Sequence, residues 1–170
     1  MIKLIVKKNA LGLDSFVLLD GSHHQLYSTK SEGDLRNKVH KLYDTSENIL
    51  AYIRKEIGEN HVLLHIDMNE TRIATITTNK GFSTKGFTIE PQGMKTKHNQ
   101  SKLLFSVVKD NETVATVNIN LFKFKSTYTI KMINSNDDKL KYIMIALAIF
   151  IDERNPSFLG SIFKKVDWFQ

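Results

Sequence analysis

Apolar and polar residues alternate along most of the chain, the pattern of strands with one buried face. Ile2, Leu4 and Val6 alternate with lysines or other residues, and a turn falls near Asn9 to Gly12. Ser15 to Leu19 reads as a second strand. Asp20-Gly21 is a hairpin signal, and Gln25 to Thr29 returns as its partner. Lys38 to Tyr43 and Ile49 to Ile57 flank a turn at Asp44-Thr45-Ser46. His61 to Ile66 and Ile73 to Thr77 flank another at Asp67 to Asn69. Ser31 to Val39 reads as a short helix capped by Ser31, with strand or loop as the competing assignment.

The turns expose an internal repeat. Asn69-Glu70-Thr71-Arg72-Ile73-Ala74-Thr75-Ile76 resembles Asn111-Glu112-Thr113-Val114-Ala115-Thr116-Val117, and Phe87-Thr88-Ile89-Glu90 resembles Tyr128-Thr129-Ile130-Lys131. Glu47 to Ile53 is a weaker copy. Asp20, Asp44, Asp67 and Asp110 are expected to mark four turns. An aspartate there accepts hydrogen bonds from backbone two residues on, so these four read as structural carboxylates. Successive hairpins of this kind form a meander that curls into a barrel or sandwich.

One segment breaks the two-residue period. Tyr142 to Ile151 is apolar at every position, after Asn136-Asp137-Asp138, in which Asn136 is the expected N-cap; Pro156 is the expected stop. A helix apolar on all sides must be buried on all sides. Ten residues of helix span only about 15 Å, and crossing a bilayer takes about 20 apolar residues. The expected home is the interior of the protein, since each large side chain left wet forfeits roughly 1.5–3 kcal/mol. A helix about 10 Å across needs a wide sheet around it. The expected fold is therefore mainly β: a closed antiparallel β-barrel of about 12 strands around a central hydrophobic C-terminal helix. Residues 1–170 form one domain, with strands over about 1–134, the helix over about 137–152 and a tail at 153–170.

Composition adds constraints. The 170 residues are 41% hydrophobic, enough for a core, and carry a net charge of +6. With no cysteine, disulfides, zinc-thiolate sites and cysteine nucleophiles are excluded. The N-terminus lacks the continuous apolar stretch of a signal peptide, and a cytoplasmic location is expected.

Hairpins built on Asp-turn and Leu/Ile-Ala-x-Ile units, followed by a late helix Lys139 to Asp152, resemble the tubby C-terminal-like superfamily. Within it the chain is most similar to the LURP-one-related proteins of bacteria and plants, and more distantly to the phospholipid scramblases. The likeness covers roughly Met1 to Asp152. It implies a barrel around a central helix and a binding module in place of an enzyme. Tubby proteins bind phosphoinositide headgroups through basic residues, but no local motif here matches a family ligand site.

Candidate chemistry is sparse. No nucleophile elbow, phosphate-binding glycine loop or His-Glu-x-x-His is present, and no cofactor or metal is expected. His61 and His65 are four apart, but on a strand that separates them by about 13 Å, too far for one ion. Gly81 and Gly86 read as glycines at strand bends. Lys80, Lys85, Lys95, Lys97, His98 and Lys102 cluster in the middle of the chain, and Lys123, Lys125 and Lys131 follow at strand spacing, with Phe122 and Phe124 inward. Lys80, Lys85, Lys123, Lys125 and Lys131 are the candidate face for anionic phospholipid; a merely solvated lysine face is the alternative. Nucleic acid is a poorer fit, because single strands want exposed aromatic rings for stacking and most of the phenylalanines fall on expected core faces. The tail repeats apolar residues at Phe158, Leu159, Ile162, Phe163, Val166 and Phe169, suited to covering one barrel mouth or lying on a membrane surface with Lys164, Lys165 and Trp168. The expected function is a non-catalytic binding or scaffold domain, cytoplasmic and peripheral to a membrane if it binds lipid. A protein-interaction module and an enzyme with an unrecognised pocket are the alternatives.

Overall fold

The computed structural model describes residues 2–8, 14–34, 37–79, 86–99, 102–122, 125–134 and 136–166. The chain is mainly β, with antiparallel strands followed by one C-terminal helix. The strands are β1 (Ile2–Lys8), β2 (Asp14–Leu19), β3 (Gln25–Glu32), β4 (Val39–Tyr43), β5 (Ile49–Ile57) and β6 (His61–Met68), then β7 (Thr71–Asn79), β8 (Thr88–Glu90), β9 (Met94–Asn99), β10 (Leu104–Lys109), β11 (Glu112–Phe122) and β12 (Lys125–Met132). Each pairs with its neighbours in sequence. β1 pairs with β2 and also with β12, Ile2 lying opposite Ile130 and Ile5 opposite Thr127. The turn expected near Asn9 to Gly12 and the inward Phe124 lie outside the described residues.

The helix α1 (Asp138–Val166) carries the all-round apolar segment. Tyr142 to Ile151 are each 6% exposed or less. The helix packs against β6 and β7 and also against β11 and β12, pairs far apart in the strand order, so the sheet curves about it. Inward positions alternate along the strands as the period requires, for example Val62, Leu64 and Ile66, or Ala115, Val117 and Ile119.

Four hairpins share one irregularity. The register slips between Leu18 and Leu19, Leu42 and Tyr43, Ile66 and Asp67, and Val107 and Val108. The extra residues opposite are Leu26, Leu50, Ile73 and Val114. A bulge bends its strand and adds right-handed twist, which helps a long sheet curl around a helix. Beside three of the four slips, Leu42 faces Ala51, Ile66 faces Ala74 and Val107 faces Ala115, all buried.

The structure corrects several expectations. Asp20 and Asp44 do hold turns: Asp20 Oδ1 accepts from the Ser22 and His24 amides, and Asp44 Oδ1 from those of Ser46 and Asn48. Asp67 does not. It lies in β6 beside the bulge, and the turn is made by Asn69 and Glu70, both at positive φ (48° and 62°). Asp110 and Asn111 (49° and 66°) are their counterparts. Matched on these turns, the two repeats correspond residue for residue, Ile73 to Val114 and Ala74 to Ala115. The N-cap is Asp137, not Asn136: its Oδ1 accepts from the Leu140 amide. Pro156 does not stop α1, which continues to Val166; a proline removes one helical hydrogen bond, and the turns on either side can carry the backbone past it. Ser31 and Glu32 belong to β3, so no helix starts there. Gly86 lies ahead of β8 and not within a strand, with φ +80° and the Thr96 carbonyl oxygen 2.5 Å from where a Cβ would be. Gly81 lies outside the described residues.

Candidate functional site

Of the five lysines expected to form an anionic-lipid face, Lys80, Lys85 and Lys123 lie outside the described residues. Lys125 is in β12 opposite Phe122, with its side chain undescribed. Lys131 is exposed on β12 and lies opposite Thr116. Two further lysines join it across the sheet. In β9 Lys95 and Lys97 are exposed, alternating with buried Met94 and Thr96. The register then runs Lys97 to Ser106, Ser106 to Thr116 and Thr116 to Lys131. Three strand spacings put the ends of this row about 14 Å apart. His98 is not part of it: its ring stacks on Phe105 at 4.1 Å, and burial pushes its pKa below the ordinary value.

A second constellation escaped sequence reasoning. At the end of the buried part of α1, Glu153 has a side chain only 8% exposed. His40 Nε2 donates to its Oε1 at 2.7 Å, Lys38 Nζ lies 3.1 Å from the same oxygen, and Lys55 Nζ lies 3.4 Å from Oε2. A backbone bond from the Lys55 amide to the Lys38 carbonyl holds the two lysines together. Burial opposes ionisation of Glu153, but the His40 hydrogen bond and the charges of His40, Lys38 and Lys55 outweigh it and lower the pKa to about 2. One residue earlier, buried Tyr128 donates its hydroxyl to Asp152 Oδ1 at 2.7 Å. The sequence signal was there: His40 and Lys55 share parity with buried Leu42 and Ile53, so polar side chains fall on the apolar face of β4 and β5.

The outer face of β5 to β7 carries a carboxylate, an imidazole and a hydroxyl in line. Glu56 Oε2 lies 3.0 Å from His65 Nε2, and His65 Nδ1 lies 3.1 Å from Thr75 Oγ1. That order activates nucleophiles in hydrolases. Here Thr75 lies between its ladder partners His65 and Glu90. Backbone N–H groups in such a ladder are engaged by the neighbouring strand, so they do not converge on a developing oxyanion. The arrangement orients His65 and does not by itself make a reactive centre. Among the described residues no three histidine, aspartate or glutamate side chains gather as a metal ion requires, and no helix is long and apolar enough to cross a membrane.

An antiparallel sheet packed against a buried apolar helix, with its polar chemistry on the outer faces and at the helix end, defines a mainly β domain with one helix. The family model of the LURP-one-related proteins matches residues 2–152, and the chain belongs to that family. No curated protein and no solved structure matches it.

Proposed function

We propose that this LURP-one-related chain is a non-catalytic binding or scaffold domain that docks on anionic phospholipid through the lysine-bearing outer face of β9 to β12. With it we infer a closed antiparallel barrel of the tubby C-terminal-like type, supported by the pairing of β1 with both β2 and β12. The domain would then act in the cytoplasm, peripheral to a membrane. The observation that carries the reading is the row from Lys97 through Ser106 and Thr116 to Lys131, with Lys95 beside it. Hydroxyls between lysines offer donors to phosphate oxygens, and the helix occupies the interior, so a ligand is met from outside. Each lysine near an anionic surface contributes about 1 kcal/mol, so three supply roughly a hundredfold in partitioning.

Co-sedimentation with vesicles of neutral or anionic lipid, at low and moderate salt, tests this. Salt-sensitive pelleting with anionic vesicles, lost in the triple variant Lys95→Glu, Lys97→Glu, Lys131→Glu, is the expected result. No pelleting at low salt sinks it. That outcome favours the second reading, a protein-interaction module, for which Ile133 at the end of β12, 79% exposed, is the apolar contact.

A further inference from the structure

We propose that Arg54 and Arg72 form a binding site for a soluble phosphomonoester, held ready by Asp67 on the outer face of β5 to β7 and independent of the lysine row. Asp67 is buried beside the β6 bulge. Its Oδ1 accepts from Arg72 Nε at 3.0 Å, and its Oδ2 lies 3.4 Å from Arg54 Nε. The register explains the convergence: Arg72 lies directly opposite Asp67 on β7, and Arg54 lies on β5 two residues beyond Tyr52, which faces Asp67 from the other side. The Arg54 guanidinium also sits 5.7 Å from the centre of the Tyr52 ring.

Both arginines spend the inner nitrogen on Asp67. Their terminal nitrogens have no partner among the described residues, and the side chains are 54% and 48% exposed. Two guanidinium edges thus flank one carboxylate and remain available to solvent. A guanidinium edge matches two oxygens of a phosphate or carboxylate, and a pair of them matches a dianion. Arginine side chains ordinarily lose rotamer freedom on binding; here Asp67 and Tyr52 have already ordered them. A ligand on the outer edges leaves the bonds to Asp67 in place.

The surroundings select the ligand. Glu56 and Glu70 are exposed on the same strands or the turn between them. A broad anionic plane would meet those carboxylates along with the arginines, and like charges repel it. A compact phosphomonoester, with close to two negative charges, reaches the arginines alone. The site therefore fits a soluble phosphate ester better than a membrane.

The test is a titration of the full chain with inorganic phosphate and with O-phosphoserine at low salt, followed by backbone and arginine Nε–H NMR signals. Expected are saturable shifts centred on Tyr52, Arg54, Asp67 and Arg72. Arg54→Gln or Arg72→Gln weakens binding about tenfold or more, and Arg54→Lys, which keeps the charge and loses the fork, weakens it as well. Unchanged signals elsewhere show that these half-exposed substitutions leave the fold intact. The Lys95, Lys97, Lys131 charge reversal leaves the titration unchanged, which separates this site from the lipid reading. Absence of saturable shifts overturns the proposal, as do shifts that persist when both arginines are replaced. Arginine-dependent pelleting with phosphatidic acid vesicles, without binding of either soluble phosphate, overturns the soluble ligand.

Discussion

Glu153 is the residue on which most charge converges, and its energetics set a pH dependence. Its pKa is lowered from 4.5 to about 2. A carboxyl lowered on folding stabilises the fold above its unfolded pKa, and that contribution fades as pH falls towards the folded value. The window here is from about pH 4.5 down to about 2, and the contribution above it is about 3 kcal/mol. Glu153→Gln is expected to destabilise the protein by about that amount at pH 7, since it leaves Lys38 and Lys55 near a neutral amide. Urea unfolding of both proteins across the acid range checks this: the gap should close as wild-type Glu153 becomes protonated. A gap that stays constant to pH 2 would show that the cluster does not lower this pKa. Residue chemistry was the least legible part of the sequence. Asp67 and Glu153 owe their roles to partners brought in from other strands, Arg54 to the one and Lys38, His40 and Lys55 to the other. Asp20 and Asp44, which act within their own loops, were readable at once.

Among the elements, the hairpins were legible because period two and turn residues are both local signals. Their bulges were not, because an extra residue is visible only against the strand it faces. That is why the pattern points to Asp67 as a turn residue, whereas the bulge at Ile73 places the turn at Asn69-Glu70. The alanine beside each of three bulges has its own consequence. Ala74 and Ala115 are buried opposite Ile66 and Val107, on β7 and β11, which pack against α1. Ala74→Leu and Ala115→Leu are each expected to cost about 1–3 kcal/mol by overpacking. Replacing the neighbouring outward Thr75 or Thr116 by valine should cost well under half of that. Thermal unfolding of the four variants decides; equal losses on both faces would show that the alanines are not making room for the helix.

At the scale of the whole molecule, the helix is the core. Its placement was legible from one fact, that no side of Tyr142 to Ile151 can face water, and the structure buries all ten residues. What the pattern did not show was the helix's extent: α1 continues through Pro156 to Val166, beyond the buried segment. A helix so buried can lose its amide protons only when the sheet around it opens. Hydrogen exchange of residues 143–151 should therefore report the global unfolding free energy, equal to that of the most protected strand amides and with the same denaturant dependence. Faster exchange there than in β6 or β11 would mean that the helix leaves without the sheet.

The pairing of β1 with β12 also has a consequence in time. Ile2 waits for Ile130, and buried positions such as Val62, Leu64 and Val117 wait for a helix that follows them in the chain. A ribosome delivers roughly 5–20 residues per second, so the earliest hairpins stand for several seconds with nothing to close over. Contacts so distant along the chain make folding slow. During that interval the nascent sheet leaves uncovered the apolar positions that the helix later covers, the kind of surface that makes folding intermediates prone to aggregate.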